Sequence, residues 1–340
     1  MARGIIGSMK ILINCSLPFA LAHGGQQIQI ERTQAALQSV GLEVEPVRWW
    51  DDKQKGDIIH YAGRMPAAQI ELAHQNGIKV VMAELLTAPG SRTPGQLRLQ
   101  RILNRTMERV APGHFVAAFN WKSYRLADVC IALTSWEARL MTYLFGAPPE
   151  RVHVVPNGVE EVFLQSPPAQ RGLWLVCTAT ITERKRVLEL AEAAVLAQTP
   201  VWILGRAYSE ADPYAQRFYA LARQHPKTVR FEGPISNRAK LAQVYREARG
   251  FVLLSTMESL SLSALEAAAC ECPLLLSDLP WARSTFDEHA TYCPITSPGR
   301  TTGHLKSFYA AAPSLKPPPK PATWTEVARQ LKTIYERICS

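Results

Sequence analysis

The sequence lacks any uninterrupted apolar run of the ~20 residues that a bilayer span needs, which excludes a polytopic membrane protein. Cysteine is scarce and odd in number, seven in 340 residues. A disulfide scaffold is thereby excluded, and reduced thiols in a cytosol are the expected state. No Asp-x-Asp occurs, because Asp51 and Asp52 are adjacent rather than spaced. Cys270 and Cys272 have no second pair at zinc-site spacing, so no metal is assigned. There is no repeat of solenoid period and no recognisable nucleic-acid-binding module, so nucleic acid is not assigned as a partner. A hydrophobic fraction of 47% against 20% charged excludes a disordered chain. What is present in excess is positive charge: 38 Lys and Arg against 29 Asp and Glu, a net +9. That surplus favours anionic partners such as nucleotides, phosphates or acidic membrane surfaces. The length suggests about two domains, because single cores stop growing near roughly 250 residues.

Short apolar runs alternate with amphipathic helical patterns. Expected strands are Lys10–Cys15, Glu43–Val47, Ile58–Tyr61, Lys79–Glu84, Val129–Thr134 and Arg151–Val155, with helices such as Ile28–Val40, Ala67–Gln75, Gln96–Val110 and Trp136–Leu144 between them. A second series follows: strands Leu173–Ala179, Val201–Leu204, Val229–Glu232, Gly250–Ser255 and Pro273–Ser277, with helices Val187–Gln198, Tyr214–Gln224, Arg238–Ala248 and Ser263–Cys270. Strands alternating with helices predict α/β domains with parallel, doubly wound sheets and ligand sites at the carboxyl ends of the strands. The stretch Ile11–Ala22 also has the outline of a signal peptide, but Asn14, Ser16 and Pro18 interrupt it, and a first strand is preferred. Met1–Ser8 reads as a leader, with Met9 as a start. Pro156, Pro167 and Pro168 mark a boundary near Pro156–Ala169. The run from Lys316 to Pro321 predicts an extended linker before a closing helix, Thr323–Ile338.

Three segments carry chemistry: Arg151–Val159, Ala179–Arg186 and Glu258–Pro273. The third places Glu258 and Glu266 with seven residues between them at a strand-to-helix junction. If the helix begins near Ser261–Ser263, the free N–H groups of Ser261, Leu262 and Ser263 form a diphosphate site. Glu258 then stands near whatever hangs on the distal phosphate, and Glu266 can accept from ribose hydroxyls. Ser263-x-x-Glu266 is equally the pattern of a capping box, which would make Glu266 a helix cap. Gly24 and Gly25 follow the first strand, where close backbone approach to a phosphate or an acceptor calls for glycine.

These segments resemble the family-4-like retaining glycosyltransferases of the GT-B fold. Arg125-Leu-Ala-Asp128 with Ala132–Ser135, Val155-Pro-Asn-Gly-Val159, and the Glu258/Glu266 pair followed by an Ala-rich helix and Pro273 are similar to the family's motifs in order and spacing. The resemblance implies two Rossmann-like domains facing across a cleft: 9–160 for the acceptor, 168–310 for a nucleotide-sugar, a Pro-rich linker at 311–322 and a helix at 323–340 returning to the first domain. It implies a metal-independent enzyme of hexosyltransferase type that needs no cofactor. A sugar would move from a UDP- or GDP-linked donor to a carbohydrate, lipid or small-molecule hydroxyl with retention. It places Lys185 on the donor diphosphate and Asn157 at the interdomain signature. Thr180 stands where the family has arginine, which Arg184 or Arg186 would replace. Glu84 stands where a histidine often lies near the reacting sugar, and His60 follows the preceding strand; both are candidates for catalysis. Ser259 and Ser261 replace glycines, and Glu271 replaces another. These departures leave a catalytically inactive nucleotide-sugar-binding protein as the alternative.

One helix stands apart. Arg98, Arg101, Arg105 and Arg109 recur at helical spacing beside Leu99, Ile102, Leu103, Met107 and Val110. Two readings stay open: a core helix with a solvated arginine face, or a surface helix in peripheral contact with an anionic membrane. The expected location is accordingly cytoplasmic, with membrane association as an added feature.

Overall fold

The computed structural model describes all residues except 1–8, 17–18, 20–23, 112, 114–118, 166–168 and 296. The leader, Pro18 and the end of the signal-peptide-like stretch at Ala20–Ala22, and Pro167 and Pro168 therefore lie outside the described residues. The chain divides into two compact units, one running to Gly158 and taking in Ala322–Ser340, the other Val159–Pro321.

In the first unit the strands are β1 Lys10–Cys15, β2 Glu43–Pro46, β3 Ile58–Ala62, β4 Lys79–Met82, β5 Val129–Ala132 and β6 Val152–Val154. They pair in parallel in the order β2-β1-β3-β4-β5-β6. The second unit has β7 Leu175–Thr178, β8 Val201–Leu204, β9 Val229–Phe231, β10 Gly250–Leu253, β11 Leu274–Ser277 and β12 Thr291–Cys293. Its order is β12-β11-β10-β7-β8-β9, again parallel throughout. Both are Rossmann-like, and strands such as Leu274–Ser277 and Gly250–Leu253 are buried at every residue because helices cover both faces.

The closing helix Trp324–Cys339 starts with a capping box, in which Thr323 Oγ1 accepts from the Glu326 amide at 3.1 Å and Glu326 accepts from the Thr323 amide at 2.7 Å. It packs on the helix Gly25–Ser39, and Lys332 Nζ donates to the Val40 carbonyl at 3.0 Å. Its buried row is Trp324, Val327, Ala328, Leu331, Ile334 and Tyr335.

One expectation needs correction. The expected strand Lys79–Glu84 ends at Met82, which leaves Glu84 in the following loop. Between Ser277 and Thr323, where no element was named from the sequence, the chain forms helices Pro280–Phe286 and Pro298–Ala311 and the strand β12. Gly299 and Gly303 weaken the helical signal of the second helix, while Thr301, Leu305 and Phe308 supply its buried face.

The helix Pro94–Val110 also departs from one of its two readings. Leu97 and Asn104 face inward, whereas Leu99, Ile102, Leu103 and Val110 are exposed. As a core helix with a solvated arginine face it would have buried the latter row.

Candidate functional site

In the second unit the strand order reverses between β7 and β10, and ligands of such sheets sit beyond the carboxyl ends of the strands at that reversal. The loops there are 179–186 after β7 and 254–261 after β10, and they hold most of the expected site residues. The Thr256 amide donates to the Arg184 carbonyl at 2.8 Å, which ties one loop to the other. Glu183–Lys185 form a single 3₁₀ turn, and Arg186, at φ 52°, turns the chain into the helix Val187–Ala197.

Lys185 Nζ donates to Glu258 Oε1 in an ion pair whose side chains are both largely buried. Arg184 joins them, with Nη1 donating to the Met257 carbonyl at 2.8 Å and to Glu258 Oε1 at 3.2 Å. Two cations therefore share one carboxylate oxygen, a cluster ready to exchange that carboxylate for phosphate oxygens. Thr180 lies half-buried in the same loop.

The helix Leu262–Ala269 begins at this cluster. Its cap is Ser261, whose Oγ accepts from the Ala264 amide at 3.4 Å and lies 3.1 Å from Ser263 Oγ. The Ser263/Glu266 capping box expected as the alternative does not form. The Leu262 and Ser263 amides belong to the first turn, where no i−4 carbonyl is available to them.

Glu266 is buried and faces a residue that the sequence reading did not single out. Arg238 Nη2 donates to Glu266 Oε1, Arg238 Nε donates to Glu160 Oε2 at 2.5 Å, and the Tyr245 hydroxyl approaches Glu266 Oε2 at 3.5 Å. Burial raises the Glu266 pKa above the ordinary carboxylate value, and Arg238 opposes that shift. Asn237, the N-cap of the helix Arg238–Glu247, places Arg238 at the first helical position.

Gly205 was missed as well. A Cβ there would lie 1.8 Å from the Ala179 carbonyl oxygen, so the β8 loop meets the β7 loop backbone to backbone. Gly205 also lines an open cavity of about 650 Å³ at the carboxyl ends of β8 and β9, together with Arg206, Tyr219, Arg230, Phe231 and Pro234.

In the first unit Gly24, at φ 150°, is the N-cap of the helix that Gly25 begins. Asn157 is buried, and Gly158 beside it approaches the backbone of Trp324. Glu84 pairs bidentately with Arg64, at 2.7 and 2.9 Å, and accepts from the Tyr124 hydroxyl. Arg64 lies over the Phe145 ring, 4.7 Å from its centroid. His60, the other expected catalytic candidate, lies against the closing helix. It is buried, its Nδ1 lies 2.6 Å from the Tyr335 hydroxyl, and desolvation lowers its pKa to about 4. Its ring meets that of Tyr335 edge-on, which ties it to the closing helix.

Comparison with known proteins bears on the family and the fold. Residues 172–302 match the family model described as Glycosyl transferases group 1, and residues 36–162 match Glycosyltransferase Family 4. A D-inositol 3-phosphate glycosyltransferase of Actinosynnema mirum is 34% identical over 172 residues, which spans 44% of this chain and 40% of that protein's length. Among solved structures, Alr3699/HepE of Anabaena in complex with UDP and glucose aligns over 96% of this chain and 99% of its own at a TM-score of 0.63 and 13% identity. Sucrose-phosphate synthase of Thermosynechococcus elongatus aligns over 97% and 99% at 0.63 and 17%. At these identities the structures speak for the fold, which is GT-B.

Proposed function

The chain belongs to the family-4-like glycosyltransferases of the GT-B fold, and we propose that it moves a sugar from a UDP- or GDP-linked donor to a hydroxyl of a carbohydrate, lipid-linked or small-molecule acceptor, with retention of configuration. The observation that carries this reading is the cluster of Lys185, Arg184 and Glu258 at the mouth of the helix Leu262–Ala269. On donor arrival the diphosphate takes Lys185 and the first-turn amides, and Glu258 is released to accept from sugar hydroxyls. Lys185 and the helix N-terminus then stabilise the charge that develops on the leaving diphosphate, so no divalent cation enters the scheme. Glu266, held in place by Arg238, accepts from the ribose. Thr180 adds a hydroxyl donor beside the phosphates, and Arg184 supplies the charge that Thr180 lacks.

The cavity bounded by Gly205 and Phe231 is assigned to the base, because Gly205 brings it against the phosphate-side loop. UDP is favoured, since it is the nucleotide bound by Alr3699/HepE. The first unit is assigned the acceptor, with Gly24 and Gly25 as its close-approach loop, Asn157 as part of the Pro-Asn-Gly turn, and Glu84 with Arg64 fixing polar groups.

The test is a panel of UDP-, GDP- and ADP-sugars, read first by thermal shift and then by release of nucleoside diphosphate. Stabilisation by at least one nucleotide and its loss in Lys185→Ala are expected. No stabilisation by any of them would overturn the donor site. Binding without turnover across varied acceptors would establish the inactive scaffold instead.

A further inference from the structure

The helix Pro94–Val110 turns its apolar row away from the protein. Its inward side is narrow, with Leu97 and Asn104 buried and Asn104 Nδ2 donating to the Leu144 carbonyl at 3.2 Å. On the opposite side Leu99, Ile102, Leu103 and Val110 are 59%, 61%, 53% and 75% exposed. At about 100° per residue these four fall within a sector of roughly 100°. Arg98, Arg105 and Arg109 occupy the adjoining sector, are exposed, and enter no salt bridge among the described residues. The helix has one acidic side chain, Glu108, and it is already paired with Arg125 at 2.9 Å.

An exposed aliphatic row bordered by unpaired arginines fits one kind of occupant. A second copy of this face would set arginine against arginine. A water-exposed role leaves four large aliphatic side chains hydrated. An anionic bilayer satisfies both halves, because the row enters the headgroup–acyl boundary and the guanidinium groups meet lipid phosphates. A second exposed apolar feature of this unit, Trp49–Trp50, sits in a loop whose Arg48 is already paired with Glu45 and Asp51, so it offers no comparable charge. We propose that the helix Pro94–Val110 lies in the surface of an anionic membrane, with Leu99, Ile102, Leu103 and Val110 inserted and Arg98, Arg105 and Arg109 on the headgroups.

The test is co-sedimentation of the full chain with vesicles of equal parts phosphatidylcholine and phosphatidylglycerol, against vesicles of phosphatidylcholine alone. Binding to the first, weakened by salt, and none to the second is expected. The triple variant Leu99→Asp/Ile102→Asp/Leu103→Asp loses binding with its circular dichroism and Tm retained, because these side chains take no part in the core. Should that variant fail to fold, Arg98→Gln/Arg105→Gln/Arg109→Gln gives the same answer, with affinity falling roughly fivefold per arginine removed. Absence of binding to the anionic vesicles, equal binding to neutral ones, or a loss that follows Trp49→Ser/Trp50→Ser and not the helix variants would each overturn the proposal. So would self-association abolished by the aspartate variant in a protein that does not bind lipid. Vesicle binding needs neither donor nor turnover, so its failure leaves the transferase reading untouched.

Discussion

A Cβ on Gly158 would stand 2.5 Å from the backbone nitrogen of Trp324 and 2.6 Å from its Cα. By composition Pro156-Asn-Gly158 is a turn, but Gly158 does not have a positive φ. Glycine is required there because the start of the closing helix passes directly over it. Gly158→Ala is therefore expected to destabilise the first unit by about 1–3 kcal/mol through overpacking that only a backbone shift can relieve. Gly303→Ala is the control of opposite sign, since Gly303 lies inside a helix with nothing within 4 Å of its would-be Cβ. It should stabilise by about 0.5–1 kcal/mol. Urea or thermal unfolding of the two variants decides the matter, and equal effects would refute the steric account.

Ser261 and Glu266 separate capping from ligand binding. Ser261 caps the helix Leu262–Ala269, and Glu266 faces Arg238 and Tyr245. Ser261→Ala should cost about 1 kcal/mol of stability. Glu266→Gln keeps the shape and should leave Tm nearly unchanged, but it should weaken nucleotide binding about tenfold or more through loss of a charged acceptor. Titration of the nucleotide by calorimetry reads the second effect. Unchanged affinity would remove Glu266 from the donor site.

Much of this was legible because buried parallel strands are continuous apolar runs: Leu274–Ser277 and Val201–Leu204 need no partner to be recognised. That Lys185 and Glu258 belong to one site followed from motif order, because the fold's strand reversal brings those two loops together, but their direct ion pair did not. Arg238 was not legible, since its reach to Glu266 depends on how separate elements pack. The helix Pro94–Val110 shows the limit most clearly: periodicity announces two faces, and only the packing of Leu97 and Asn104 decides which one is inward. His60 is similar, because strand alternation cannot say that a helix some 275 residues away will cover it.

Glu271 follows the C-cap Cys270 in the left-handed region, at φ 57°. The Glu271 amide donates to the Ala268 carbonyl at 2.9 Å and the Cys272 amide to Ala267 at 3.0 Å, which is the Schellman pattern whose left-handed position favours glycine. The glycine-type turn is thus kept although Glu271 stands in it, and the backbone bears the cost of a side chain there. Glu271→Gly should stabilise by about 0.5–1 kcal/mol after loss of the exposed 3.0 Å pair with Lys320. Glu271→Ala keeps a Cβ at the same φ and should show no gain. A gain for alanine equal to that for glycine, measured by thermal unfolding, would place the cost in the side-chain charge instead.

His60 makes the attachment of the closing helix sensitive to acid. Its pKa falls from 6.5 in the unfolded chain to about 4 in the buried site, with desolvation as the cause. The unfolded chain therefore takes up the proton first as pH falls. The stability that depends on a neutral His60 is complete above about pH 6.5 and is lost progressively toward pH 4. The full loss is on the order of 3 kcal/mol. Tm measured across that window should drop in the native chain and drop less in His60→Gln, which has no proton to gain there. Tyr335→Phe removes the 2.6 Å contact but leaves the ring buried. It should lower Tm at every pH by the equivalent of about 1 kcal/mol while keeping the slope. A slope equally flat in Tyr335→Phe and His60→Gln would assign the acid sensitivity to the contact itself, whereas an unaltered slope in His60→Gln would assign it to other groups.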